Sequence, residues 1–244
     1  MIPVFLIGGG WNAATFPQTF GRFLQFAAKN GARRIAIVVA EEAGSDPHAQ
    51  FLGFLEAFQV VGLNSFEAVE IIVSAENPLT REKLSAIEAS GVFVSGGLTP
   101  AYHEALCVDR SWLDFLVDNE IPFAGFSAGA SIAGNEAIVG GWRRKCGGQL
   151  VEIANENAGE DLDLLDVRRG LGLVPFAVDV HATQWGTLSR LIHAVDAGFA
   201  PEGWAIDENT MLESTGGETK VCGAGNAYQV RRTDGKISIE IFNS

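Results

Sequence analysis

Short, mostly apolar runs alternate with helix-length amphipathic segments through the first half of the chain. Val4–Ile7, Ile35–Val39, Ala68–Val73, Gly91–Val94 and Phe123–Phe126 predict strands. Between them, Pro17–Asn30, Pro47–Val61, Arg81–Ser90, Pro100–Leu106 and Ser111–Asn119 carry the periodicity of helices, with Thr80 as an N-cap for the third. Apolar strands of this kind belong to a parallel sheet covered on both faces. Strand–helix alternation then predicts a doubly wound α/β fold.

The pattern changes after residue 135. Glu136–Gly170 is polar and glycine-rich, which reads as a surface or functional excursion, centred on about residues 139–165. Regularity returns at Leu171–Val180 and in a helix over Gly186–Ala197. Five short runs follow, at Gly203–Ile206, Thr210–Glu213, Lys220–Cys222, Tyr228–Arg231 and Ile237–Ile241, and predict a short antiparallel extension. No repeat or linker composition interrupts the chain, so residues 1–244 are expected to form one α/β domain.

Composition narrows the partners. Seventeen basic against thirty acidic residues leave a net charge of −13, which repels nucleic acid and anionic membrane. No apolar run approaches the ~18 residues of a membrane span, and the N-terminal stretch reads as a buried strand, not a leader. Cys107, Cys146 and Cys222 cannot all pair and lack metal-site spacing; reduced thiols, a cytoplasmic location and no metal or cofactor are the expectation. The partner expected is a small peptide substrate, with a homodimer left open.

The segment Ile121–Gly134 carries the chemistry. A strand runs into small residues through Gly125-Phe126-Ser127-Ala128-Gly129, placing Ser127 at a strand-to-helix corner on the carboxyl edge of the sheet. The following helix N-terminus favours negative charge beside the hydroxyl. A second glycine turn, Ser95-Gly96-Gly97-Leu98, offers backbone N–H groups at Gly97 or Leu98 that, with Ala128, would cradle an oxyanion. Gly8-Gly9-Gly10 is a third glycine turn, without the spacing of a dinucleotide fingerprint.

A serine nucleophile needs a base. Of four histidines, His48 and His103 read as surface residues and His193 as structural. His181 ends the run Phe176–Val180 and reaches the same sheet edge. An acid must orient its ring, and Asp207 or Glu208, after Trp204–Ile206, would supply it; alternation allows only one of the two. The order Ser, His, acid excludes an α/β-hydrolase, whose acid precedes its histidine.

These residues resemble the dipeptidase E and cyanophycinase group of serine peptidases, whose fold is flavodoxin-like and related to class I glutamine amidotransferases. The likeness lies in Leu6–Gly10, Ser95–Gly97, Gly125–Ala130, Gly170–His181, Leu188–Leu191 and Ala205–Thr210, across roughly residues 2 to 215. It implies Ser127 as nucleophile, His181 as base and Glu208 as orienting acid, while the glycine turns themselves supply Gly97 and Ala128 as the oxyanion donors. Family members cleave dipeptides with N-terminal aspartate or β-aspartyl-arginine links, so a short aspartyl or β-aspartyl peptide is the substrate implied. The chain departs at Leu98-Thr99-Pro100, where the family carries polar residues near the substrate. Leu98 and Thr99 thus become candidate substrate contacts. Arg143, Arg144, Arg168 and Arg190 are candidate carboxylate holders, Arg190 foremost. An esterase or amidase for a small metabolite, and a silent binding protein on the same fold, are the alternatives.

Overall fold

The computed structural model describes residues 2–31, 33–62 and 65–244. β1 (Val4–Ile7), β2 (Arg34–Ala40), β3 (Glu67–Val73), β4 (Gly91–Val94) and β5 (Phe123–Phe126) lie where the apolar runs predict. They pair in the order β3-β2-β4-β5-β1, parallel throughout. β12 (Thr210–Thr215) and β13 (Glu218–Gly223) extend this sheet antiparallel beyond β1. The stretch β3-β2-β4-β5 follows the flavodoxin-type order, so the switch point, where such folds bind ligands, falls between the carboxyl ends of β2 and β4.

Alternation along the strands divides the core. Phe5, Ile7, Ile35, Ile37, Val39 and Phe93 face one side and pack on α1 (Phe20–Ala27) and α2 (Pro47–Val60). Val4, Leu6, Ala36, Val38, Val92 and Val94 face the other, toward α3 (Arg81–Ala86), α4 (Thr99–Leu106), α5 (Ser111–Asp118) and α6 (Ala128–Ser131). The predicted Pro17–Asn30 helix splits into a 3-10 turn over Ala13–Gln18 and α1. Helix α2 begins at Pro47, with Asp46 accepting the Ala49 N–H at 3.1 Å, and Thr80 caps α3 through the Lys83 N–H.

The remaining strands form a second sheet. β6 (Glu136–Gly140), β10 (Ala177–Val180) and β11 (Glu202–Ile206) run parallel, flanked by antiparallel β9 (Asp166–Arg169), β14 (Asn226–Thr233) and β15 (Lys236–Asn243). One face joins the α3–α6 core through Val178, Val180, Trp204 and Ile206; the other packs on α7 (Thr187–Asp196). The 139–165 excursion is a β7–β8 hairpin (Arg143–Cys146 with Gln149–Glu152) and a 3-10 turn over Glu156–Ala158, spanning β6 to β9. Among the described residues no helix is long and apolar enough to cross a membrane.

Candidate active site

Three strand ends converge although they belong to two sheets. Ser127 follows β5 in the first sheet; His181 follows β10 and Glu208 follows β11 in the second. The glycine turn after β1 ties them together. The His181 N–H donates to Gly8 O at 3.1 Å, and the Asn209 N–H donates to Gly9 O at 2.7 Å. Gly9 has φ +101°, and a Cβ there would sit 2.2 Å from His181 Cε1. Only a glycine lets the imidazole lie this close to backbone. The role of this turn was not legible as a motif, because its function is clearance.

Ser127 Oγ lies 2.8 Å from His181 Nε2, and His181 Nδ1 lies 2.8 Å from Glu208 Oε1. A carboxylate can only accept, so Nδ1 carries the ring proton and Nε2 is left with its lone pair toward the hydroxyl. Burial lowers the His181 pKa below the ordinary histidine value, against the raising effect of Glu208. The neutral ring is therefore the form present at neutral pH. Ser127 itself holds φ 52°, ψ −113°, a conformation rare for a residue with a side chain. The turn is held by the Ser127 N–H to Ile7 O at 2.9 Å and by Gly129, where a Cβ would meet Val94 O at 2.4 Å.

Asp207 and Glu208 separate as alternation requires. Asp207 is buried and accepts from the Thr183 N–H (3.0 Å), the Thr183 hydroxyl (2.7 Å) and the Asn226 N–H (3.0 Å), so it braces the turn. Glu208 alone reaches the imidazole. Of the other histidines, His48 pairs with Glu70 and His193 lies beside Arg144, both away from Ser127. His103 is only half-buried on α4 and bonds the Arg169 carbonyl at 3.0 Å, so it is less of a surface group than its polar neighbours suggest.

The second glycine turn resolves which N–H is free. The Leu98 N–H donates to Glu42 Oε1 at 2.8 Å and is occupied. Gly96 O accepts from Tyr102 Oη at 2.9 Å and from Gln50 Nε2. A trans peptide directs its C=O and N–H oppositely, so fixing this carbonyl turns the Gly97 N–H away from Tyr102 and Gln50. Among the described residues that N–H has no acceptor, and the Ala128 N–H, first in α6, has no intrahelical one.

Two expected substrate contacts are corrected. Arg190 is 3% exposed and forms a doubly hydrogen-bonded pair with buried Asp179 at 2.7 and 2.8 Å, its third nitrogen bonding Ala158 O. Every donor face is spent inside the protein. Thr99 is likewise buried, and its N–H donates to Glu160 Oε2 at 2.9 Å. Leu98, by contrast, lines the cavity at the nucleophile. Arg144 pairs with Asp196 and Arg168 with Asp166, leaving Arg143 as the one of the four arginines on the cavity wall.

That cavity, about 950 Å³, opens over Ser127 and His181. Its wall holds five carboxylates, Glu42, Glu156, Glu160, Asp161 and Asp163, against Arg143. Most come from the excursion, whose acidic run gave no hint of its placement. Glu42 sits just past β2 at the switch point, so position alone could have singled it out. Burial carries the Glu160 carboxyl up to about 7 and raises Glu42 as well. Trp11, Trp142 and Trp185 add aromatic surface, none of it anticipated from the sequence.

Solved structures share this architecture. A peptidase from an acI-B1 Actinobacterium superimposes with a TM-score of 0.64 at 16% identity, covering 100% of this chain and 97% of the other. A protein of Listeria monocytogenes EGD-e assigned to peptidase E gives 0.57 at 14%, covering 92% and 100%. The fold is thus the doubly wound, flavodoxin-like α/β fold that such proteins share. In sequence, the chain is similar to cyanophycinases. It is 27% identical to that of Nostoc sp. (strain PCC 7120) over 215 residues, 86% of this chain and 67% of the relative. Against that of Synechococcus elongatus it is 26% identical over 241 residues, 95% and 68% of the two chains. The chain therefore spans about two thirds of the length of these relatives. No family model matches it. The similarity supports a peptidase-like function.

Proposed function

We propose that the chain is a serine-type peptidase that hydrolyses a short peptide at an aspartyl or β-aspartyl bond, with Ser127 as nucleophile. The observation that carries the reading is the continuous line of two 2.8 Å contacts from Ser127 Oγ through the imidazole to Glu208. His181 Nε2 takes the hydroxyl proton as Oγ attacks the carbonyl carbon. The oxyanion that forms accepts from the Gly97 and Ala128 N–H groups, each such donor contributing roughly 3 kcal/mol to the barrier reduction. His181 then passes its proton to the departing amine, and a water repeats the sequence on the acyl-enzyme. Glu208 holds the tautomer and offsets the imidazolium charge.

The acidic wall supports one of the substrates that the resemblance suggested over the other. Even with Glu160 raised to about 7, acidic groups outnumber the one arginine on this wall, which disfavours a dipeptide of net negative charge and favours one with an added cation. A β-aspartyl link to a basic residue fits this surface better than an acidic dipeptide. Turnover of β-aspartyl and α-aspartyl dipeptides, with basic or neutral second residues, tests the reading alongside Ser127→Ala. The basic β-aspartyl substrate should be preferred, and the alanine variant should fold normally and lose nearly all turnover. An alanine variant as active as the parent would end the proposal.

A further inference from the structure

The ring of His181 is packed against both Gly9 and Trp185. Gly9 crowds its Cε1 end, where a Cβ would have no room, and the Trp185 indole stacks on its face, with centroids 3.9 Å apart and planes 9° from parallel. The indole is held by its own turn, in which the Trp185 N–H donates to His181 O at 2.9 Å. Neighbouring residues of that turn brace the acid: Thr183 binds Asp207, and Gln184 Oε1 accepts the Glu208 N–H at 2.9 Å. Trp185 is 42% exposed, whereas His181 is 6% exposed. A large apolar ring kept half in solvent over a buried imidazole is not there for core packing.

We propose that Trp185 is a positioning residue for proton transfer, holding the imidazole in line with Ser127 and stabilising the imidazolium through its π face. The proposal rests on the hydrolase reading above. The Gly9 backbone and the stacked indole restrict the ring's tilt, keeping Nε2 aimed at the hydroxyl. When the ring gains the Ser127 proton, its charge develops on a buried imidazole, where a cation over an indole face is strongly attracted. The charged groups that act on the ring are Glu208 at Nδ1 and, at longer range, Asp179 and Arg190. The stack adds a contribution that favours the protonated ring, opposing burial.

A small alkyl fluorophosphonate tests this without engaging the acidic wall. Ser127 Oγ bonds to phosphorus, fluoride departs, and the hydroxyl proton passes to His181 Nε2. The second-order inactivation rate is measured from acid to alkaline pH for wild type, Trp185→Phe and Trp185→Leu. Trp185→Leu should lower the plateau about tenfold and move the inflection to lower pH, while Trp185→Phe keeps most of the rate. If the leucine variant fails to fold, Trp185→Met takes its place. A leucine variant with the wild-type plateau and inflection overturns the proposal, as do leucine and phenylalanine variants slowed equally. Labelling that does not depend on Ser127 overturns the hydrolase reading itself. Ser127-dependent labelling with an unaffected Trp185→Leu overturns the stacking role alone.

Discussion

Arg190 and Asp179 hold each other through two hydrogen bonds, 2.7 and 2.8 Å long, with almost no solvent on either side chain. The pair joins α7 to β10 two residues before the catalytic-histidine candidate, and it also holds the excursion through Ala158 O. Removing one partner strands the other's charge in the interior. Arg190→Met should therefore cost roughly 3–5 kcal/mol of stability. Urea unfolding measures it; an unchanged midpoint with a raised KM would restore the substrate-binding role that the sequence suggested.

His181 is held below the ordinary histidine pKa by burial, with Glu208 pulling the other way. Activity depends on the neutral ring, so kcat/KM should rise with pH and reach its plateau below the range of a solvent-exposed histidine. Glu208→Gln removes the raising partner and frees the tautomer. The inflection should move further down and the plateau fall about 10³- to 10⁴-fold, with the fold intact. A pH–rate profile of both proteins decides this, and an inflection that moves upward in the variant contradicts it.

Gly9→Ala is a test of clearance. The new methyl would lie 2.2 Å from His181 Cε1, and the backbone there has φ +101°. The ring must move, and a displacement of about 1 Å costs on the order of 10²-fold in rate. Circular dichroism should change little while turnover collapses. Near-normal turnover would mean that the loop relaxes freely.

Glu160 ties the excursion to the first turn of α4 and titrates up to about 7. A carboxyl raised in the folded state keeps its proton where the unfolded chain has already lost it. Its stabilisation is complete below the ordinary glutamate range and declines as pH climbs through about 7. Glu160→Gln keeps an acceptor for the Thr99 N–H without that titration. The Tm difference, variant minus wild type, should grow from mildly acidic to mildly alkaline pH; a constant difference would refute it.

The parallel strands were legible because each is a short apolar run whose alternate residues all meet a core. Val4 and Leu6 look one way, Phe5 and Ile7 the other. Ser127 and His181 were legible because both stand at strand ends beside residues suited to their chemistry. The choice of Glu208 over Asp207 came from family resemblance; alternation left it open, and the Thr183 and Asn226 contacts to Asp207 explain it. Arg190 misled because a guanidinium suited to an external carboxylate suits Asp179 equally well. Glu160 and Trp185 carried no local signal, since their places depend on how the excursion and the β10–α7 turn fold back over the glycine turns.

The hydroxyl and the imidazole ride on different sheets, joined at this point by two carbonyls of the Gly8–Gly9 turn and by the chain running from β11 to β12 through residues 207–209. The 2.8 Å contact between them is thus a gauge of inter-sheet registry. Each sheet's ladder can survive a small slip that this contact cannot. In a denaturant titration, turnover should vanish ahead of helical signal, making enzymatic rate the earliest reporter of loosening.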